Sequence, residues 1–282
     1  MKFILSLCFI AIILSTTIEA VADVKMGVFP RRPVAVTYQS FKPLADKLSK
    51  ELGEKVEIVV PKDFKAFWKG VANKEFDLVH FNQYHYIKSH KEFGYQVIAA
   101  NEEFGKKQIA GTLAVRKDSG INKVEDLKGK TILFGGGKKA MISYIVPTAI
   151  LKKAGLVEGK DYQVEFAKNP PGAVIGVFNK AADAAGTGDI VFNVKAVSKK
   201  VDVSQLKFLS TSDPLTHLAW AVKEGMPKNK ADKIQTVMTS LKNNDEGKAI
   251  LKAAKVTNFY KVNDNDFAKV REFTKFAIGE DY

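Results

Sequence analysis

Cysteine is almost missing from this sequence of 282 residues: the single one, Cys8, lies among the first dozen. The rest of the chain can form no internal disulfide and no cysteine-ligated zinc or iron–sulfur site, and thiol catalysis is excluded with them. Histidine is scarce too. Of the four, His80, His85 and His90 are spaced by five, about 140° apart per step on a helix, so they do not gather on one face around a metal. The G-x-S-x-G elbow, the H-E-x-x-H signature and the kinase motifs are absent, and no carboxylate pair stands out, so no enzyme class is indicated. Acidic residues are the deficit with most consequence: 31 Asp and Glu against 44 Lys and Arg leave a net charge of +13. Such a balance suits nucleic acid, an acidic membrane surface or a small anion drawn in by the protein's field.

Long apolar runs are also lacking. The one near the start, Phe3 to Leu14, covers 12 residues, too short for a membrane span of about 20. It follows Lys2 and precedes Ala20-Val21-Ala22, the pattern of a secretory signal peptide over residues 1–22 cleaved after Ala22. Cys8 follows Leu7, where a lipoprotein anchor wants a small residue. Removing Lys2 and Glu19 leaves the charge at +13. A cysteine-free exported protein suits the periplasm, and export demotes nucleic acid as a partner.

What remains is an alternation of short apolar runs and amphipathic helices. Val24–Phe29, Val56–Val60, Phe76–Phe81 and Tyr95–Ala100 read as strands. Between them, Phe41, Leu44, Ala45, Leu48 and Leu52 share one face of a helix over Ser40–Leu52 that Gly53 stops, and Phe64, Phe67, Trp68 and Val71 recur at helical spacing. A polar, aromatic helix follows Asn82. The second half repeats this grammar: strands at Gly111–Val115 and Thr131–Phe134, a helix from about Ala140 to Ala154, a further α/β unit from Tyr162 to Phe192, strands at Leu206–Ser210 and Leu218–Val222, and helix from Lys230 onward. Strands alternating with helices predict right-handed crossovers, parallel sheets and two α/β lobes with a cleft between them.

Four places carry candidate chemistry. Gly135-Gly136-Gly137-Lys138-Lys139 lies between a strand and a helix. It reads either as a flexible turn with two solvated lysines or as an anion site using Lys138 or Lys139 and the amides of Lys139 to Met141. It lacks the spacing of a P-loop and of a dinucleotide fingerprint. Asn82, Gln83 and Tyr84 follow a strand, where ligands of open α/β sheets bind. Arg31 and Arg32, between Pro30 and Pro33, are anion ligands or surface charge. Thr187 and Asp189, in Gly186-Thr187-Gly188-Asp189, serve a ligand or a turn, and His217 reads as a core histidine more readily than a catalytic one.

The succession Phe41-Lys42-Pro43-Leu44-Ala45-Asp46-Lys47-Leu48, Asp77 to Tyr86, Lys117-Asp118-Ser119-Gly120, Asp126-Leu127-Lys128-Gly129-Lys130 and Val146-Pro147, continuing to Ala182-Asp183-Ala184 and Glu246-Gly247-Lys248-Ala249-Ile250-Leu251, resembles the phosphate/phosphite/phosphonate-binding proteins of ABC importers. The resemblance implies an α/β, bilobed type II periplasmic-binding fold that closes on its ligand, with lobe I formed by residues 23–109 and 216–282, lobe II by 110–215, and crossovers near Lys107–Gly111 and Ser210–Leu218. It implies no catalysis and no cofactor, a small-molecule solute, an ABC permease in the inner membrane as partner, and a monomer. The family's hydroxyl-bearing anchor run falls on Ala140, Met141, Ile142 and Ser143, its histidine on Pro170, two tyrosines on Phe64 and near Ile109, and its Gly-Pro on Asn82-Gln83. The sequence therefore predicts a periplasmic solute-binding protein for a small anionic or zwitterionic solute, phosphonate-like or other. A ligand-sensing partner of a membrane receptor or histidine kinase is the alternative. The expected contacts are Arg32, Asn82, Gln83, Tyr84, Lys138, Lys139, Ser143 and Thr187.

Overall fold

The computed structural model describes residues 23–282; the expected signal peptide lies outside the described residues. The strands are β1 (Val24–Val28), β2 (Val56–Val59), β3 (Leu78–Phe81), β4 (Gln96–Glu102), β5 (Gln108–Ile109), β6 (Gly111–Arg116), β7 (Thr131–Gly135), β8 (Gln163–Ala167), β9 (Ala184–Gly188), β10 (Leu206–Thr211), β11 (Leu215–Thr216), β12 (Ala219–Val222) and β13 (Asn258–Lys261). They make a six-stranded sheet in the order β13-β4-β12-β3-β1-β2 and a five-stranded sheet in the order β10-β6-β9-β7-β8. β1 to β3 and β7 to β9 are parallel, as helical crossovers require. Both sheets are nonetheless mixed, which corrects the all-parallel expectation: β12 returns from the second lobe and lies antiparallel between β3 and β4, and β6 lies antiparallel to β9.

Two local departures from the sequence reading have physical causes. The helix α1 spans Val34–Leu52 and so begins six residues before Ser40. Its first turn buries the small polar Thr37 and exposes Val34 and Val36, the inverse of the apolar periodicity by which a helix is read. β13 interrupts the stretch expected to be all helix. Four residues at a sheet edge, paired on one side with β4, are too few to set up a legible alternation.

The helices that position the crevice follow strand ends: α2 (Phe64–Ala72) after β2, α3 (Gln83–Phe93) after β3, α4 (Val146–Lys153) and α5 (Pro170–Phe178) after β7 and β8. Asp63 and Asn82 cap α2 and α3 by accepting the N–H groups of Ala66 and His85. Before α4 the chain makes one wide turn, Met141–Ile145, with i→i+5 hydrogen bonds.

The chain crosses between the lobes at β5 and β11, which pair with each other, Ile109 opposite Leu215 and Gln108 opposite Thr216. A third link is the last helix, Ala268–Ile278, which packs on α3 of one lobe and α4 of the other. Lys152 Nζ donates to the Phe276 carbonyl at 2.7 Å, and Thr274 lies 3.8 Å from Met141 Sδ. One buried cluster accordingly runs without a break from Phe67, Phe81 and Tyr84 through Leu215 and Val270 to Met141, Phe134 and Ile145.

Gly135, at the end of β7, has no room for a side chain: a Cβ there would sit 2.3 Å from the Pro170 Cα. Gly135→Ala is expected to destabilise the fold by about 1–3 kcal/mol by overpacking against backbone. Gly137→Ala, which meets nothing within 4 Å, should leave stability unaltered. Urea midpoints of the two variants check both outcomes.

Candidate functional site

Because β12 is antiparallel to both β3 and β4, the strands β1, β2, β3 and β4 all run in one sense and end on one edge. The parallel strands β7, β8 and β9 also share an edge. Two contacts show that these edges face each other. Asn82 Nδ2, after β3, donates to the Lys139 carbonyl after β7 at 3.2 Å. Lys106, before the hinge, meets Asp189, after β9, at 3.1 Å. Carboxyl ends of strands from both lobes thus line one crevice, where α/β sheets hold ligands.

The residue that organises this edge is Glu103, just past β4. Its carboxylate is buried and accepts from Arg31 Nη2 at 2.9 Å and Asn101 Nδ2 at 3.1 Å. Asn101 in turn accepts the indole N–H of Trp220 at 2.9 Å. Trp220 stacks on the imidazole of His80 at 4.4 Å and 5°, with Phe29 and Phe41 closing around the same ring. His217 accepts the Leu218 N–H at Nδ1, which leaves the proton of the neutral ring on Nε2, 4.0 Å from Glu103. Burial alone would raise the Glu103 carboxyl, but the Arg31 charge, His217 and the two hydrogen bonds overcome it and pull it down to about 2. Burial keeps His80 and His217 below the usual histidine range.

Among the described residues, Arg32 has no such partner. Its Nη1 is buried and unbonded, and burial, with the neighbouring Arg31 charge, lowers it to about 10, so it stays a cation at neutral pH. Thr187, fully buried at the end of β9, also has an unbonded hydroxyl. Beside the arginines stands an aromatic wall: the Arg31 guanidinium lies 5.7 Å from the Phe29 ring, Phe29 lies 6.2 Å from Phe64, and Phe64 stacks on His85 at 5.5 Å. Phe64 is 42% exposed at the crevice rim. Burial, helped by the Lys139 charge, pushes His85 down to about 3, and its Nδ1 has no partner.

The other residues expected at the site are engaged elsewhere. Lys138 pairs with Glu158 at 3.0 Å. Lys139 directs its ammonium over the Tyr84 ring at 5.9 Å, and the Ala140 N–H expected to bind an anion is bonded to the Gly137 carbonyl. Ser143 donates back to the Gly135 carbonyl at 2.7 Å. Gln83 is buried and donates to Thr216, while Tyr84 donates to Glu280 at 2.5 Å. Asp189 accepts from Lys106 and the Ala110 N–H, which leaves it no lone role for a ligand amine. Asn82 spans the crevice and caps α3. Of the eight, Arg32, Asn82 and Thr187 remain at the facing edges with polar atoms unspent or shared across them. Sequence reasoning passed over Asn101 and Glu103, although their place at the end of the fourth strand was a usable signal. A depression of about 510 Å³ opens beside the hinge between Lys106, Lys107, Asp189, Thr216 and Tyr260. Of its lysines, Lys106 is paired with Asp189, Lys107 lies over the Tyr260 ring, and Lys261 also lines it.

Residues 26–267 match the family model described as ABC transporter, phosphonate, periplasmic substrate-binding protein. Among solved structures, PhnD1 from Prochlorococcus marinus in complex with methylphosphonate superposes with a TM-score of 0.77 at 18% identity, covering 92% of this chain and 99% of that one. XAC2383 from Xanthomonas citri bound to ATP does so with a TM-score of 0.77 at 15% identity, covering 90% and 96%. At these identities the likeness is one of fold. A curated relative, the tetrathionate sensor histidine kinase TtrS of Salmonella typhimurium, is 27% identical over 172 residues, 57% of this chain and 28% of that protein. The match thus spans under a third of that relative's length.

The Glu103 carboxyl falls from its ordinary 4.5 to about 2 in the folded protein, so it contributes stability that is present above about pH 4.5 and is lost as pH falls toward 2. Glu103→Gln is expected to lower stability at neutral pH by about 3 kcal/mol and to flatten the loss between those limits. Urea midpoints of wild type and variant across that window check the sign and size.

Proposed function

Because the chain belongs to the family of periplasmic substrate-binding proteins of phosphonate ABC transporters, we propose that its crevice captures a small anionic or zwitterionic solute and presents it, as a monomer and without chemical change, to a permease of the inner membrane. The observation that carries the anion is Arg32, a half-buried arginine at the carboxyl edge of the first sheet whose Nη1 is itself buried and unbonded. An unmet charge removed from water is costly, and an oxyanion supplies the missing acceptor through a charge-assisted hydrogen bond. Thr187, from the facing lobe, offers a hydroxyl to the same solute. Residues 23–109 with 216–282 move as one lobe and 110–215 as the other. The Asn82 and Lys106 contacts across the crevice tighten as the ligand shifts the population toward the closed form.

A second reading, periplasmic sensing for a membrane kinase, is favoured by one observation, the match to TtrS. The two differ in phenotype: loss of the gene abolishes uptake of the solute in the first and leaves uptake but abolishes a transcriptional response in the second.

Mass spectrometry of small molecules released on denaturing the purified protein should recover an unaltered anion. Rebinding of that anion, followed by calorimetry, is expected to weaken about 10- to 100-fold in Arg32→Ala, the worth of a hydrogen bond to a charged group. Lys138→Ala, whose ammonium is paired with Glu158, should change nothing. Asn82→Asp keeps the oxygen that caps α3 and removes the Nδ2 donor to Lys139. It should weaken rebinding by about two- to tenfold and enlarge the loaded protein in small-angle scattering.

A further inference from the structure

We propose that the crevice selects singly charged oxyanions bearing an apolar group, namely carboxylates or sulfonates with a short aliphatic or aromatic substituent, over doubly charged ones. This deepens the reading of Arg32 as the anion ligand and rests on it.

Of the two arginines at the crevice edge, one is left unpaired. Arg31 is neutralised by the buried Glu103 at 2.9 Å, so only Arg32 is left with an unbonded guanidinium nitrogen. Three of the lysines nearby are drawn to other groups. Lys106 is matched by Asp189, Lys138 by Glu158, and Lys139 leans over Tyr84 toward the Glu280 carboxylate, whose pKa it helps to lower. His80 and His85 are held neutral by burial, which lowers His217 as well. A single charge on the ligand is therefore met. A second would be buried without a partner and would also face the Glu103 carboxylate, a cost that the remaining dipoles do not cover.

The surfaces next to Arg31 and at the facing strand ends are apolar. Phe29 bridges Arg31 to Phe64, whose ring is 42% exposed and stacked on His85. From the facing lobe, Ile142 and the hinge residue Ile109 both lie against Gly188 at the end of β9, and Pro170 covers the end of β7. A solute with no apolar part would leave Phe64 exposed to water. One with a small hydrocarbon or aromatic group covers it and gains by burial.

The test is calorimetry of the full chain with benzenesulfonate, methanesulfonate and phenylphosphonate at about pH 5.5 and about pH 8.5. These lie on either side of the second ionisation of a phosphonate, which, like that of a phosphate ester, falls near neutrality. Over that range Glu103 stays ionised and Arg32 protonated. Benzenesulfonate is expected to bind equally at both values, phenylphosphonate to weaken at least about tenfold at the higher one, and methanesulfonate to bind at least about tenfold more weakly than benzenesulfonate. Glu103→Gln frees Arg31 and should reverse the preference, so that phenylphosphonate tightens as pH rises. Should that variant not fold, the wild-type comparison decides alone. The proposal is overturned if phenylphosphonate binds as tightly doubly charged as singly charged, if methanesulfonate matches benzenesulfonate, or if no probe binds. Arg32→Ala separates the two levels. If it weakens every probe while the dianion is preferred, only the charge selection fails. If it alters none, the placement of the anion at Arg32 fails with it.

Discussion

One ion pair, Arg31 with Glu103, sets the character of the crevice. A carboxylate with so little of its surface in water must be met by charge and hydrogen bonds, and Glu103 takes both from Arg31 and Asn101. From there the constraint passes inward: Asn101 fixes the Trp220 indole, Trp220 the His80 ring, and the same ring packs against Phe41 of α1. It also passes outward. Having consumed one of two adjacent arginines, Glu103 leaves the other as the sole unanswered guanidinium. The same carboxylate thus anchors the floor of the first lobe and takes up one of the two charges at its edge.

A net charge of +13 consequently says little about what the crevice holds. Most of the lysines with named partners are tied to surface carboxylates, as in Lys42 with Asp46, Lys74 with Glu224 and Lys228 with Asp232, pairs that contribute little in water. Arg32 differs from them in having a buried guanidinium nitrogen with no acceptor. Two of the histidines around the third strand serve as neutral aromatic surfaces, His80 against Trp220 and His85 against Phe64.

The elements of the fold were legible where their signal is local. Gly53 ends α1 with a left-handed backbone, as expected of it, and the 3, 4 and 7 spacing of Phe64, Phe67, Trp68 and Val71 gave α2. Arg32, Asn82 and Thr187 were legible as residues at strand ends. The roles of Lys138, Ser143, Gln83 and Tyr84 were not, because each is decided by a partner at a distance along the chain: Lys138 by Glu158, Gln83 by Thr216, Tyr84 by Glu280. Ser143 turns back to the Gly135 carbonyl because the wide turn at Met141–Ile145 brings the two together, and no periodicity announces that turn.

The last helix gives the hinge a property that two strands alone would lack. A pair of extended segments such as β5 and β11 resists stretching but permits twist and sideways sliding. A helix lying across α3 and α4, with its side chains in both cores, is stiff along its length. Motions that shear the lobes past each other must drag its packed face across one of them, whereas a turn about its own long axis disturbs few contacts. The two sheets are thus joined at three places, and the third is a rigid rod seated in the packing of both.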